Sequence, residues 1–110
     1  MPLSVAKDFS DVPGGRFLTD GPFSGEAFRE RLLRPALNAP GDVTIDLRGT
    51  EGFGSSFLEE AFGGLVRLRH YSKEELHRRL HFLSDDPTLI DEIWEYVDTA
   101  VVDASEAKGR

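Results

Sequence analysis

Three histidines, a pair of adjacent serines and twenty carboxylates are the groups in this chain that could do chemistry, and their spacing narrows each option. His77 and His81 stand at i, i+4, the separation that aligns two imidazoles on a helix, with His70 further upstream. The residues between them are Arg78, Arg79 and Leu80, so two cations lie where a dication would have to enter, and no carboxylate base is in register. If residues 80–83 form a strand, the spacing loses its meaning altogether, and no metal is expected. Neither Ser55 nor Ser56 sits in Gly-x-Ser-x-Gly, because Ser56 is followed by Phe57 and Leu58. With no cysteine in the chain there is no thiol nucleophile and no thiolate metal site. No acid/base pair can be picked from the carboxylates without geometry. The expectation is a protein without catalysis and without a cofactor.

The serines belong to a more informative segment. Gly49, Gly52 and Gly54 punctuate the stretch from Arg48 to Ser55, and backbone amides in such a loop can surround an anion. It is not a dinucleotide fingerprint, since Ser55-Ser56-Phe57 stands where the third glycine belongs, and no Lys-Ser/Thr closes it as a phosphate-binding loop. Two readings stay open. The glycines can serve a tight strand-to-helix turn, with Ser56 and Glu59 as a capping box. Alternatively Gly52, Gly54, Ser55 and Ser56 form an anion-binding or phosphorylatable site, in which a phosphate on Ser55 would face Glu51, Glu59 and Glu60.

The elements that must position this loop follow from periodicity and punctuation. Leu3 and Val5 alternate with Ser4 and Ala6, Pro13-Gly14-Gly15 turns the chain, and Arg16 to Thr19 is short and strand-like, which predicts a hairpin. Ser24 caps a helix with Phe28, Leu32, Leu33 and Leu37 on one face, which Pro35 should kink or end. Val43 to Leu47 reads as a central β-branched strand. In the next helix Leu58, Ala61, Phe62, Leu65 and Leu68 form the apolar stripe, leaving Glu59, Glu60, Gly63, Gly64 and Arg67 facing out. Two helix-interior glycines cost about 1 kcal/mol each relative to alanine, which packing or binding should offset: either this outward face lets a partner's backbone approach closely, or one of Gly63 and Gly64 packs against this protein's own neighbouring element. Ser72 with Glu75 caps a short helical turn, Leu80 to Leu83 returns as a strand, and Asp86-Pro87 opens a last helix with Ile90, Ile93, Trp94, Val97 and Val101 inward.

At 110 residues, 39% hydrophobic and 30% charged, the chain suits one globular domain. A net charge of −7 disfavours nucleic acid and anionic membrane surfaces as partners. No apolar run long enough to span a bilayer and no signal peptide is visible, and a cysteine-free chain fits a cytoplasmic setting. Arg67, Arg69, Lys73, Arg78 and Arg79 cluster ahead of a segment, Asp85 to Glu106, with eight acids and no base, so charge is polarised. A domain over residues 3–103 and a flexible tail over 104–110 are expected.

A family resemblance enters at the loop. Val43-Thr44-Ile45-Asp46-Leu47-Arg48-Gly49 is similar to the central strand and Asp-Leu-Ser-Gly of STAS domains, found in sulphate-transporter tails and anti-sigma-factor antagonists, and Phe53 to Leu58 lies where they have Ile-Asp-Ser-Ser-Gly-Leu. Gly14-Gly15-Arg16, Asp20-Gly21-Pro22, Ser24-Gly25-Glu26 with Phe28-Arg29, and Ser56 to Leu65 resemble more closely the STAS-like domain of unknown function, over about residues 3 to 102. The resemblance implies an α/β fold with a mixed sheet of four or five strands and three main helices. It implies a regulatory, bacterial-type signalling module with Ser55 as phosphoacceptor. The following helix would be the docking face, and a GHKL-type ATPase or kinase the kind of protein partner. Two positions depart from the pattern: Gly54 replaces the acid before the serines and Phe57 the glycine after them. The rival expectation is a sensor holding a nucleotide or other anion in the Gly49 to Ser55 loop.

Overall fold

Alternation of β-branched and polar residues makes Val43–Asp46 (β2) the middle of a sheet in the order β1-β2-β3, flanked by Leu3–Ser4 (β1) and Leu80–Leu83 (β3) in a computed structural model that describes residues 2–102. Both pairings are parallel, with Leu3 opposite Ile45 and Ile45 opposite Phe82. The expected mixed sheet of four or five strands is therefore a parallel sheet of three among the described residues. Ile45 and Leu80 are buried on the helix-covered face, whereas His81 and Leu83 are exposed.

The N-terminal hairpin is corrected as well. β1 runs beside β2 and passes directly into a short helix, Val5–Asp8 (α1), capped by Ser4. Residues Arg16 to Thr19 form no strand, because the Asp20 carboxylate accepts from the backbone N–H groups of Arg16 (3.2 Å) and Phe17 (2.8 Å) and curls the chain into a 3-10 turn at Leu18–Asp20. The returning chain docks on the head of the next helix, where Gly25 N–H donates to the Gly15 carbonyl at 2.9 Å.

Four further helices follow: α2 (residues 25–38), α3 (55–67), Lys73–Arg79 (α4) and Pro87–Thr99 (α5). The caps are the expected ones for three of them: Ser24 accepts from Ala27 N–H, Ser72 from Glu75 N–H and Asp86 from Thr88 N–H. Pro35 does not end α2. A π turn at Arg29–Leu33 widens the helix just ahead of it, and the helix continues through Asn38. A second π turn, Glu59–Gly63, lies in α3. Packed between α2 and α5, α3 is buried nearly all round, and Phe28, Phe57, Phe62, Ile45, Ile93 and Val97 belong to a single core. Val101 lies beyond the end of α5 and is 77% exposed rather than part of its apolar face. Residues 104–110, expected as a tail, lie outside the described residues. Among the described residues no helix is long and apolar enough to cross a membrane.

α3 ends in a Schellman motif: His70 N–H donates to the Leu65 carbonyl (2.9 Å) and Arg69 N–H to that of Val66 (3.0 Å). This puts Arg69 at φ 64°, the left-handed region, where glycine has no Cβ penalty. Arg69→Gly is accordingly expected to raise stability by about 1 kcal/mol. Urea unfolding checks this, and a loss of stability would show that the Arg69 side chain contributes packing that outweighs the strain.

Candidate functional site

Parallel strands end together, and the loops at their C-terminal ends meet. The segment from Leu47 to Gly54 leaves β2 there and faces the turn from β3 into α5, across a cleft of about 370 Å³. Leu47 N–H extends the ladder to the Leu83 carbonyl at 2.8 Å. Gly49 (φ 93°) and Gly52 (φ 137°) then turn the chain in conformations that L side chains rarely adopt. Glu51 N–H donates to the Asp11 carbonyl at 2.8 Å, tying the loop to the N-terminal segment, and half-buried Phe53 packs on Phe57 with ring centroids 5.7 Å apart.

Gly54, not Ser56, is the N-cap of α3, in an extended conformation and without a side-chain cap. The expected capping box is absent because Ser55 and Ser56 are already helical and the Glu59 carboxylate is bound by Arg16 and Arg67. Ser55 and Ser56 are both exposed. The Ser55 side chain lies near the hydroxyl of Tyr96, which donates to Glu92 Oε2 at 2.7 Å. The Glu92 carboxylate and burial hold the Tyr96 hydroxyl above the ordinary phenol range. Tyr96 and Glu92 were not foreseen at this site, although their i, i+4 spacing on α5 was a readable signal.

The loop's one cation is already engaged. Arg48 grips Asp46 through Nε (2.9 Å), Nη2 (3.0 Å) and its backbone N–H (3.0 Å). That grip, with the Arg48 side chain as the main contributor, holds the Asp46 carboxyl down at about 2. Because the folded value lies below the ordinary carboxylate range, the pair's stabilisation is complete above about pH 4 and fades as pH falls toward 2. Carboxyl resonances followed by NMR should show Asp46 still ionised at pH 3 and, in Arg48→Ala, titrating at a higher pH, short of the usual value because the residue 48 backbone N–H remains; an unchanged midpoint in that variant would refute the assignment. The rest of the cleft carries the carboxylates of Asp85, Asp86 and Glu92, a lining that repels an anion.

The second group of expected site residues is placed differently from the expectation. Glu59, Glu60, Gly63, Gly64 and Arg67 do not form an outward face: Glu60 is 4% exposed, and both glycines are buried. Arg29, 2% exposed on α2, donates through Nη1 to the Glu60 carbonyl (2.5 Å) and to Glu60 Oε2 (2.8 Å). The two π turns contribute this pair, since Arg29 begins one and Glu60 lies in the other. Gly64 is glycine because a Cβ there would stand 2.4 Å from Arg29 Nη1, and a Cβ on Gly63 would meet the Tyr96 carbonyl of α5 at 3.2 Å. The close approach that the glycines permit is thus to this domain's own α2 and α5. Arg67 and Arg16 complete the network around Glu59 and Glu60, each about one-third exposed at its side chain. Arg29 was missed because its partner is 31 residues away.

The histidines are separated by the fold. His77 lies on α4 and His81 on β3, so they share no helical face. His77 stacks on Trp94 at 4.0 Å between ring centroids and contacts Asp98 at 2.6 Å. Among the described residues no group of three or more His, Asp or Glu side chains is placed to hold a metal ion.

No curated protein and no solved structure matches the chain. The family model described as a STAS-like domain of unknown function matches residues 24–89, which take in α2, the central strand, the glycine loop, α3, α4, β3 and the start of α5. With more than half of its length in that match, the chain belongs to the family of STAS-like domains of unknown function.

Proposed function

We propose that this STAS-like domain acts as a non-catalytic regulatory module that binds a protein partner through the surface where residues 11–23 meet the glycine loop. One observation supports this most: Val12 (52%), Phe17 (48%), Leu18 (52%) and Phe23 (40%) are large apolar side chains left exposed in one short segment. Exposed apolar groups gathered on one stretch mark interaction surfaces more often than scattered ones do. The segment is held in place, not loose. Phe23 packs edge-on against Phe9, the Gly14 N–H donates to the Phe23 carbonyl, and Arg16 is anchored on Glu59. The partner in this reading is a GHKL-type ATPase or kinase.

Ser55 is the switch in the same reading. Its exposed hydroxyl lies at the first residue of α3, and a phosphoryl group transferred there from ATP would bring about two negative charges next to Glu92. The cleft would become more repulsive to an acidic partner surface. The anion-sensor alternative has less support, since Arg48 is already paired with Asp46 and three carboxylates line the cleft.

Crosslinked capture from the native cell extract tests the surface, with Phe17→Ser/Leu18→Ser beside the natural chain. The expected outcome is an ATPase or kinase captured by the natural chain and lost with the variant at an unchanged melting temperature. Equal capture by both would reject the surface, and mass spectrometry after incubation with the captured kinase and ATP would locate or exclude a phosphate on Ser55.

A further inference from the structure

A hollow of about 580 Å³ lies away from the glycine loop. It opens between the end of α3, the turn into α4 and the chain leaving α5, with apolar walls from Val66, Tyr71, Ala100 and Val102. Its size is in the range of small-molecule sites, which pair apolar walls with a few polar groups.

The basic cluster of the sequence explains the polar part. Arg67 is bound by Glu59 and Glu60, and Arg79 by Glu75 and the carbonyls of Leu37, Ala39 and Gly41. Arg69 and Lys73 are the two that line the hollow, both exposed and neither in an ion pair among the described residues. Of the two carboxylates at the rim among the described residues, Glu75 is held by Arg79, which leaves Glu74 facing two cations. On a chain of net charge −7 this is a locally positive, apolar-walled recess. Arg69, moreover, occupies the left-handed position where the backbone favours glycine.

We infer that this recess binds a small amphipathic monoanion, a carboxylate on a flat apolar body, with Arg69 and Lys73 at the carboxylate and Val66, Tyr71 and Ala100 against the body. The planar fork of Arg69 suits a carboxylate in two-point contact, and the apolar walls select against inorganic phosphate.

The test uses the full chain and three probes of one shape: 2-naphthoate, 2-naphthalenemethanol and 2-naphthylmethylammonium. Amide chemical shifts in NMR titrations should saturate with naphthoate at Val66, Arg69, Lys73 and Ala100. The neutral probe should bind about tenfold more weakly, the loss of one charge-assisted contact, and the cationic probe more weakly still. Arg69→Gly should weaken naphthoate by a similar factor while the melting temperature holds or rises, so misfolding cannot explain the loss, and Lys73→Met should act in the same direction. The inference is overturned by any of three results: no saturable shift at these amides, equal affinity for all three probes, or naphthoate binding unaltered in both variants.

Discussion

Replacing Arg29 by Met should cost about 3 kcal/mol of folding stability, the lower end of what breaking a buried ion pair does. Removing Arg29 deprives the Glu60 carbonyl of its 2.5 Å donor and leaves a carboxylate that is 5% exposed at its side chain. Arg67 at 3.0 Å and Arg16 at 3.4 Å remain near Glu60, which is why the effect stays at the lower end. Glu60→Met should cost at least as much, because it leaves Arg29 buried with Glu30 as its remaining carboxylate. The double variant should cost clearly less than the sum, since a matched apolar pair avoids the desolvation of both charges. Urea unfolding of the four proteins measures the coupling. Additive losses, or a single-variant loss below about 1 kcal/mol, would show that the pair is not what joins α2 to α3.

Gly25→Ala should be comparably damaging, although alanine is the better helix former by about 1 kcal/mol. A Cβ on Gly25 would stand 2.4 Å from the Phe57 carbonyl oxygen, 3.1 Å from Glu60 Cβ and 3.2 Å from the Ala61 nitrogen. Two of these atoms are backbone and cannot rotate away, so the helices themselves must separate. Overpacking of this kind costs about 1 to 3 kcal/mol, and the displaced elements here also carry the Arg29–Glu60 contact. A loss of about 3 kcal/mol would lower the melting temperature of a domain this size by about 15 °C. Gly14→Ala is the control, since nothing lies within 4 Å of a Cβ there, and its melting temperature should stay within a degree or two of the natural chain. If Gly25→Ala melts with the control, the close crossing of α2 and α3 is wrong.

Both contacts join residues about thirty positions apart, Arg29 with Glu60 and Gly25 with Phe57, beyond the reach of local sequence signals. Ser24, Ser72 and Asp86-Pro87 announced three helix starts because a cap is a bond across two or three residues. The alternation in Val43 to Asp46 likewise announced the central strand, and both signals are local. The glycine loop was legible as a turn for the same reason, whereas which of its glycines take a positive φ, Gly49 and Gly52 but not Gly54, was not. The start of α3 was misplaced by two residues, because Ser56 and Glu59 make a plausible capping box until Arg16, forty-three positions away, takes the carboxylate.

The sheet's parallel pairing was not legible. Leu3 and Ser4 alternate equally well beside either kind of neighbour, and which strand they join depends on Ile45, far along the chain. Nor was the burial of α3 on a second side. Glu60, Gly63, Gly64 and Arg67 have the composition of a solvated or docking face, and only the approach of α2 and α5 turns them inward, with Arg29 as counter-charge and the glycines as clearance. By itself, then, the sequence determined where elements begin, which positions are apolar and where the backbone must turn, since these depend on neighbours within about one helical turn. Tertiary structure alone decided strand direction, the partner of each buried charge and which glycine face meets another helix, because each of those is a contact between residues that only the finished packing brings together.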